Sequence, residues 1–264
     1  MEPHPFITLT TDFGSKDPFT GIMKGVILSI NPAVRIIDIS HDIEPQNILE
    51  AAFVIAMSYR SFPHKTIHVV VIDPGVGSRR RPILVAGDFH YFIGPDNGVF
   101  SRIYDLNERC EVVHLNARHY FLPDRSSTFD GRDIFAPVAS WLSKGIDISK
   151  FGDRITDYVK LPMPASQMKE DNIIQGEVIH IDRFGNLITN IDSGQMKTLN
   201  AGKGLKILLK GIEASMKKYY SEAGDGQLNS LINSFGYLEL FVKNGSAATG
   251  FGVSIGEKVT VGRV

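Results

Sequence analysis

Residues 66–77, TIHVVVIDPGVG, decide the fold. The run from Thr66 to Ile72 is short, almost wholly apolar and rich in β-branched residues, the pattern of a strand covered on both faces. Asp73-Pro74-Gly75-Val76-Gly77 then closes it with a carboxylate and turn formers. Open α/β sheets bind their ligands at such carboxyl ends of strands. Upstream, residues 6–11 (FITLTT) form a strand that ends in Asp12-Phe13-Gly14. Pro18 opens a helix whose apolar face is Ile22, Met23, Val26, Ile27 and Ile30 and which stops at Asn31-Pro32. A strand over 34–39 and a helix over 48–59 follow. Downstream, strands are expected at 83–86, 91–93 and 111–115 and a helix over 134–143. This alternation predicts an α/β N-terminal domain with a mainly parallel sheet over residues 1–162.

The character changes near residue 160. Leu161-Pro162-Met163-Pro164 and the polar residues 166–172 suggest a linker. Beyond it, β-like runs at 174–181, 205–209, 237–242 and 258–261, separated by Gly, Asn and Ser, predict a smaller C-terminal β-barrel domain over 173–264.

Composition narrows the function classes. The 264 residues carry a formal net charge of −1, and the largest basic run is Arg79-Arg80-Arg81, so neither nucleic acid nor an anionic membrane is expected as a partner. Cys110 is the one cysteine, which excludes an intramolecular disulfide and a multi-cysteine metal site. The eight histidines (4, 41, 64, 68, 90, 114, 119, 180) have no metal-ligand spacing, so no metal is expected. No leader pattern opens the sequence and no apolar run reaches the ~20 residues of a membrane span, so a cytoplasmic protein is expected.

Polar, glycine-rich clusters fall where strands should end: residues 11–14, 73–77, 94–98 and 128–133. Any single aspartate among them is as well explained by a turn or a helix cap, but four clusters together point to a site. The second half adds Asp182-Arg183-Phe184-Gly185-Asn186, Asn233-Ser234 and Asn244-Gly245-Ser246, whose asparagines can both donate and accept. Phosphate-loop, dinucleotide, serine-hydrolase and zincin motifs are missing.

The strings TTDFG (10–14), VIDPGVGSRRR (71–81), IGPDNGVF (93–100), STFDGRDIFAP (127–137), IDRFGNLITNI (181–191) and NSFGYLELFVKNGSA (233–247), in this order, resemble the SAM hydroxide adenosyltransferases. These adenosine-forming hydrolases of S-adenosyl-L-methionine (SAM) are relatives of the fluorinating and chlorinating SAM enzymes. The resemblance implies cleavage of the C5′–sulfur bond by water to adenosine and methionine, with SAM as substrate and no cofactor. It also implies a homotrimer with active sites between subunits.

Carried over by motif, Asp12 would accept the ribose hydroxyls, Asp17 and Asp182 the methionine ammonium, and Ser234 the carboxylate. Asn186 and the backbone around Asn244 to Ser246 would read adenine, with Phe184 packing against it and Gln46 nearby. Asp73, Arg80 and Asp130 would be catalytic, orienting the attacking water. The family has histidine where this chain has Asp130. Asp73 and Asp130 would then share a proton at the water, or Arg132 would neutralise Asp130 and impair catalysis. The halogenases have an arginine at Phe235, a tryptophan at Ile188, a tyrosine at Asp73 and, in the fluorinating enzymes, a serine at Gly131. The alternatives are accordingly a SAM-dependent chlorinating halogenase and a catalytically impaired SAM or adenosine binder. A methyltransferase fits least, because the glycine-rich SAM loop after the first strand is missing.

Overall fold

A computed structural model describes residues 5–169, 172–199 and 204–263; His4 and residues 170 and 171 of the expected linker lie outside them. The chain forms two compact units that divide between Met163 and Pro164. Among the described residues no helix is long and apolar enough to cross a membrane.

In the first unit the strands are β1 (Phe6–Thr11), β2 (Arg35–Ser40), β3 (Ile67–Val71), β4 (Pro82–Ala86), β5 (Tyr91–Pro95), β6 (Glu111–Leu115) and β7 (Gly152–Ile155). Its helices are α1 (Phe19–Ile30), α2 (Ile48–Ser58), α3 (Ser101–Leu106) and α4 (Ala136–Ser143). The sheet order is β2-β1-β3-β5-β4-β6-β7. The segment that decides the fold lies inside it, between β1 and β5, and the period of two explains its composition. Ile67, Val69 and Val71 enter a core with Met23 and Ile27 of α1 and Val138 and Ala139 of α4. Val70 and the following Ile72 enter the opposite core with Ile55 of α2 and Ile103 of α3.

The sheet is mixed rather than mainly parallel. β2, β1, β3 and β5 run parallel, whereas β5–β4, β4–β6 and β6–β7 are antiparallel. The reason is connection length. Only residues 87–90, closed by the Gly87 N–H to His90 carbonyl bond (2.9 Å), join β4 to β5, while a parallel crossover needs roughly a dozen residues.

The second unit contains β8 (Gln167–Lys169), β9 (Ile173–Ile181), β10 (Leu187–Asp192), β11 (Leu205–Leu209), β12 (Ile212–Glu213), β13 (Ser215–Met216), β14 (Leu228–Ile232), β15 (Tyr237–Val242) and β16 (Lys258–Arg263), with helices α5 (Ser193–Leu199) and α6 (Ala247–Phe251). The strands make one sheet in the order β12-β11-β16-β9-β10-β15-β14-β13, with β8 on β9. Only Ala214 separates β12 from β13, and its N–H reaches the Ile207 carbonyl of β11 (2.9 Å). The two ends of the sheet therefore meet and it is nearly closed, like a barrel. Alternate residues such as Ile174 and Val178, Leu238 and Leu240, and Val259 and Val261 fill the interior. The expected linker is partly structural: β8 pairs antiparallel with β9, and the Ser166 hydroxyl donates to the Asn190 carbonyl (3.1 Å).

On the face of the first sheet that packs α2, His68 is fully buried and His90 nearly so. The His68 ring hydrogen-bonds Thr8 Oγ1 through Nδ1 (2.7 Å). Burial, reinforced by the charge of His90, pushes the His68 imidazole down to about 3. The unfolded chain therefore binds a proton that the folded one refuses between the ordinary histidine value and about 3. This contribution to stability is intact above about pH 6.5 and is lost progressively as the pH falls toward 3. Urea titrations from pH 7 to 4 are expected to show a loss on the order of a few kcal/mol that His68→Gln removes; an identical pH slope in both proteins would contradict the assignment.

Candidate functional site

At the carboxyl ends of β1 and β3 the first unit holds a cavity of about 300 Å³. Asp12, Phe13, Gln46, Val71, Asp73, Val76, Phe129, Asp130 and Gly131 are among its lining residues. Asp12 follows β1 directly, and its Oδ2 accepts the backbone N–H of Gln46 (2.8 Å). Gln46 adopts a left-handed backbone (φ 66°), an uncommon conformation for a residue with a Cβ that often marks functional loops. Here it aims a main-chain donor at the carboxylate.

Arg80 joins the other two carboxylates. Its Nε donates to Asp73 Oδ1 (2.9 Å), and its Nη2 reaches both Asp73 Oδ2 and Asp130 Oδ2 (2.5 Å). All three side chains are close to buried. Arg125 approaches the outer Asp130 oxygen at 3.6 Å. Burial works against the Arg80 charge, but the hydrogen bonds and charges of Asp73 and Asp130 outweigh it and hold the guanidinium above its ordinary value. Arg132 does not pair with Asp130. It binds Asp133 (2.6 Å), so the expected Arg132–Asp130 neutralisation is replaced by Arg80.

The loops that carry these groups are built for the purpose. Residues 73–78 form two consecutive turns, Val76 N–H to the Asp73 carbonyl (3.2 Å) and Ser78 N–H to the Gly75 carbonyl (3.0 Å). Gly77, at φ +77°, lies where a Cβ would strike the Ser127 carbonyl oxygen, so this loop packs directly on the one preceding Asp130. Asp133, fully buried, accepts the N–H (2.7 Å) and hydroxyl (2.9 Å) of Ser126 and closes the 126–133 loop. Burial opposes its charge, yet Arg132 and Ser126 keep the carboxyl below the usual range. A π-turn, Gly131–Phe135, follows Asp130 and runs into α4; such turns recur at functional sites.

The second unit holds a larger cavity of about 750 Å³, lined by residues that include Asp182, Phe184, Asn186, Tyr220, Phe241 and Asn244. Asp182 organises the β9–β10 turn. Its Oδ1 accepts the N–H groups of Phe184 and Asn186 (both 2.9 Å) and its Oδ2 the Asn186 side-chain amide (3.0 Å). Three donors already occupy the carboxylate assigned to the methionine ammonium, and its Oδ2 keeps one acceptor position. Phe184 is 75% exposed, a large aromatic ring with little packing within its own chain. Asn244 is left-handed (φ 56°), and its amide donates to Asp225 Oδ1 (3.2 Å). Ser246 caps α6 by accepting the Thr249 N–H (3.1 Å).

Ser234 is exposed in the turn between β14 and β15, and Asp17 is exposed ahead of α1; neither lines the cavity of its own unit. The expected cluster at 94–98 is structural. Asp96 accepts Arg81 (2.7 Å) and the Val159 N–H (2.8 Å), and Asn97 donates to the Ile72 carbonyl (2.9 Å).

Sequence reasoning missed two residues here: Tyr220, which lines the second cavity, and Glu239, which is buried behind it. The Tyr220 hydroxyl donates to Glu239 Oε1 (2.6 Å), and its ring packs edge-on against Phe241 (4.8 Å). Burial raises the Glu239 carboxyl; hydrogen bonds from Tyr220 and Asn233 oppose this and the Asp182 charge adds to it. Among the described residues no group of three or more His, Cys, Asp or Glu is arranged to hold a metal ion.

Residues 7–152 match the SAM hydroxide adenosyltransferase N-terminal domain and residues 176–260 the C-terminal domain of that family. The chain is 36% identical over 255 residues to a Methanocaldococcus jannaschii protein named (R)-S-adenosyl-L-methionine hydrolase, covering 91% of this chain and 90% of that one. A Nocardia brasiliensis protein named Fluorinase is 26% identical, covering 97% and 96%. Among solved structures, an uncharacterized conserved protein from Thermotoga maritima superposes with a TM-score of 0.92 at 33% identity, over 97% of this chain and 100% of that one.

Removing one member of a buried ion cluster leaves the others uncompensated. Arg80→Met is expected to cost about 3–5 kcal/mol of unfolding free energy, with Asp130→Asn restoring part of it in the double variant. Strictly additive losses in urea titration would show that the two residues do not interact.

Proposed function

The chain belongs to the SAM hydroxide adenosyltransferase family, and we propose how its residues perform the hydrolysis of SAM to adenosine and L-methionine. The observation that carries the reading is the charge of the first cavity. Three carboxylates, Asp12, Asp73 and Asp130, line it, against Arg80, which Asp73 and Asp130 already share, and Arg125 on the outer side of Asp130, which leaves a formal excess of one negative charge. Such a cavity attracts a sulfonium cation. It offers a halide no net positive partner, and like charges about 4 Å apart repel by about 4 kcal/mol at a protein surface.

The sulfonium is itself the leaving group. The carbon–sulfur bond electrons depart with sulfur, giving neutral methionine thioether, so no acid and no cofactor is required. Water supplies the new C5′–oxygen bond, and the proton it loses passes, by way of the carboxylate that accepts its hydrogen bond, to bulk water. In this reading Asp73, positioned by the two-point Arg80 contact, orients the water behind C5′, and Asp130 accepts its second hydrogen bond. Asp130 stands at the family histidine's position, and Arg80 fixes it there. Holding a nucleophile in line is worth roughly 7–11 kcal/mol of barrier.

Asp12 bridges the ribose diol, with Gln46 N–H keeping one carboxylate oxygen directed. Asn186 and the Asn244–Ser246 backbone read the adenine edge beside Phe184. Asp17 and Asp182 meet the methionine ammonium, and Ser234 meets the carboxylate. The ribose and water groups lie on one unit and the adenine groups on the other. This division supports a homotrimer in which each site draws on two subunits.

The test is chromatography of SAM incubated with the protein, with and without chloride. Adenosine and methionine are expected in both, with Asp73→Ala slowing kcat by at least about 10²-fold. A chloride-dependent 5′-chloro-5′-deoxyadenosine peak would favour the halogenase, and tight SAM binding with no product would favour the impaired binder. Asp130→His is expected to change the rate; an unchanged rate would remove any special role from residue 130.

A further inference from the structure

Glu239 is a buried carboxylate that the reaction does not use. It lies on β15, is 3% exposed, and serves two segments at once. Its Oε1 accepts the Tyr220 hydroxyl (2.6 Å), and its Oε2 accepts the Asn233 side-chain amide (3.2 Å). Tyr220 lies on a short turn between β13 and β14 and forms a wall of the second cavity beside Phe241 and Asn244. Asn233 shapes the β14–β15 turn, because its Oδ1 accepts the N–H groups of Phe235 (3.0 Å) and Tyr237 (3.1 Å). That turn presents Ser234 and Phe235 to solvent.

One side chain therefore sets both the wall of the cavity and the turn that carries Ser234. Each segment has local bonds of its own, and Glu239 is the side chain that joins the two. Tyr220 sits in a three-residue helical turn without a side-chain cap, and the 233–236 turn closes with two backbone bonds, Gly236 N–H to the Asn233 carbonyl (3.0 Å) and Asn233 N–H to the Tyr237 carbonyl (2.9 Å). Burying a carboxylate is costly unless its oxygens are satisfied by well-placed donors. Its retention beneath two cavity-forming segments is accounted for if it aligns them.

We infer that Glu239 is a positioning residue that couples the adenosine end of the second unit, through Tyr220, to the methionine end, through Asn233 and the Ser234 turn. The inference rests on the proposed assignment of those two ends. It predicts a pattern that loss of fold does not produce. Tyr220→Phe removes the donor on one side only, Asn233→Ser the donor on the other, and Glu239→Gln keeps the shape while replacing one acceptor oxygen with a donor.

The experiment is calorimetric titration of the whole protein and the three variants with adenosine and, separately, with L-methionine, together with the KM and kcat for SAM. Tyr220→Phe should weaken adenosine and Asn233→Ser should weaken methionine, each by about 10-fold or more, the scale of one lost hydrogen bond to a charged group. Glu239→Gln should weaken both and raise KM more than it lowers kcat. Weakening of one ligand or of neither by Glu239→Gln would overturn the coupling. If Glu239→Gln does not fold, the Tyr220→Phe/Asn233→Ser double variant decides, since strictly additive effects on SAM KM contradict a shared carboxylate. The wild-type titrations and product analysis separate this outcome from failure of the functional reading: a protein that neither binds adenosine nor cleaves SAM would sink that reading before the variants are compared.

Discussion

A single guanidinium shared by two carboxylates is the constraint on which the first unit's site depends. Asp73 and Arg80 come from one loop, and Asp130 lies 50 residues beyond Arg80. The sheet brings their supporting loops near, but side chains must close the last few ångströms. Arg80 does so with its Nε and Nη2 groups, while its guanidinium rests over the Phe135 ring at 5.6 Å. Planarity matters here, because a lysine offers one point of charge where two carboxylates must be met from fixed directions. The neighbouring Arg81 has the opposite duty. It turns to Asp96 and Asp157 and ties the segment leading out of the first unit to the sheet.

The same economy of carboxylates runs through the second unit. Asp182 commits its oxygens to the turn that displays Phe184 and Asn186, so its main effect is on the shape of that edge of the second cavity. Two of the left-handed non-glycine residues, Gln46 in one unit and Asn244 in the other, lie on cavity walls. Local strain is characteristic of such positions.

Much of this was legible in the sequence, for physical reasons. A strand buried on both faces cannot hide its composition, which is why residues 67–71 declared the central strand and the flanking helices followed. The carboxylates at strand ends were visible for the same reason. The antiparallel half of the sheet was not, because strand direction depends on the length and closure of the 87–90 turn rather than on hydrophobic pattern. The 94–98 cluster has the same turn chemistry as 73–77, and only the third dimension shows that Arg81 and Val159 consume it. β8 was hidden inside a polar stretch that pairs through its backbone. Tyr220 and Glu239 stand 19 residues apart on different elements, with no spacing to betray the bond. A buried Glu inside an otherwise apolar run, LELFV, was the available signal, since such a residue needs partners.

In the proposed reaction the first unit's carboxylate–arginine cluster delivers water to C5′ of the adenosyl group. Reaction of SAM in H₂¹⁸O followed by mass spectrometry of both products tests it most directly. One heavy oxygen is expected in the 5′-hydroxyl of adenosine and none in methionine; unlabelled adenosine, or label in the methionine carboxylate, would rule out attack of water at C5′.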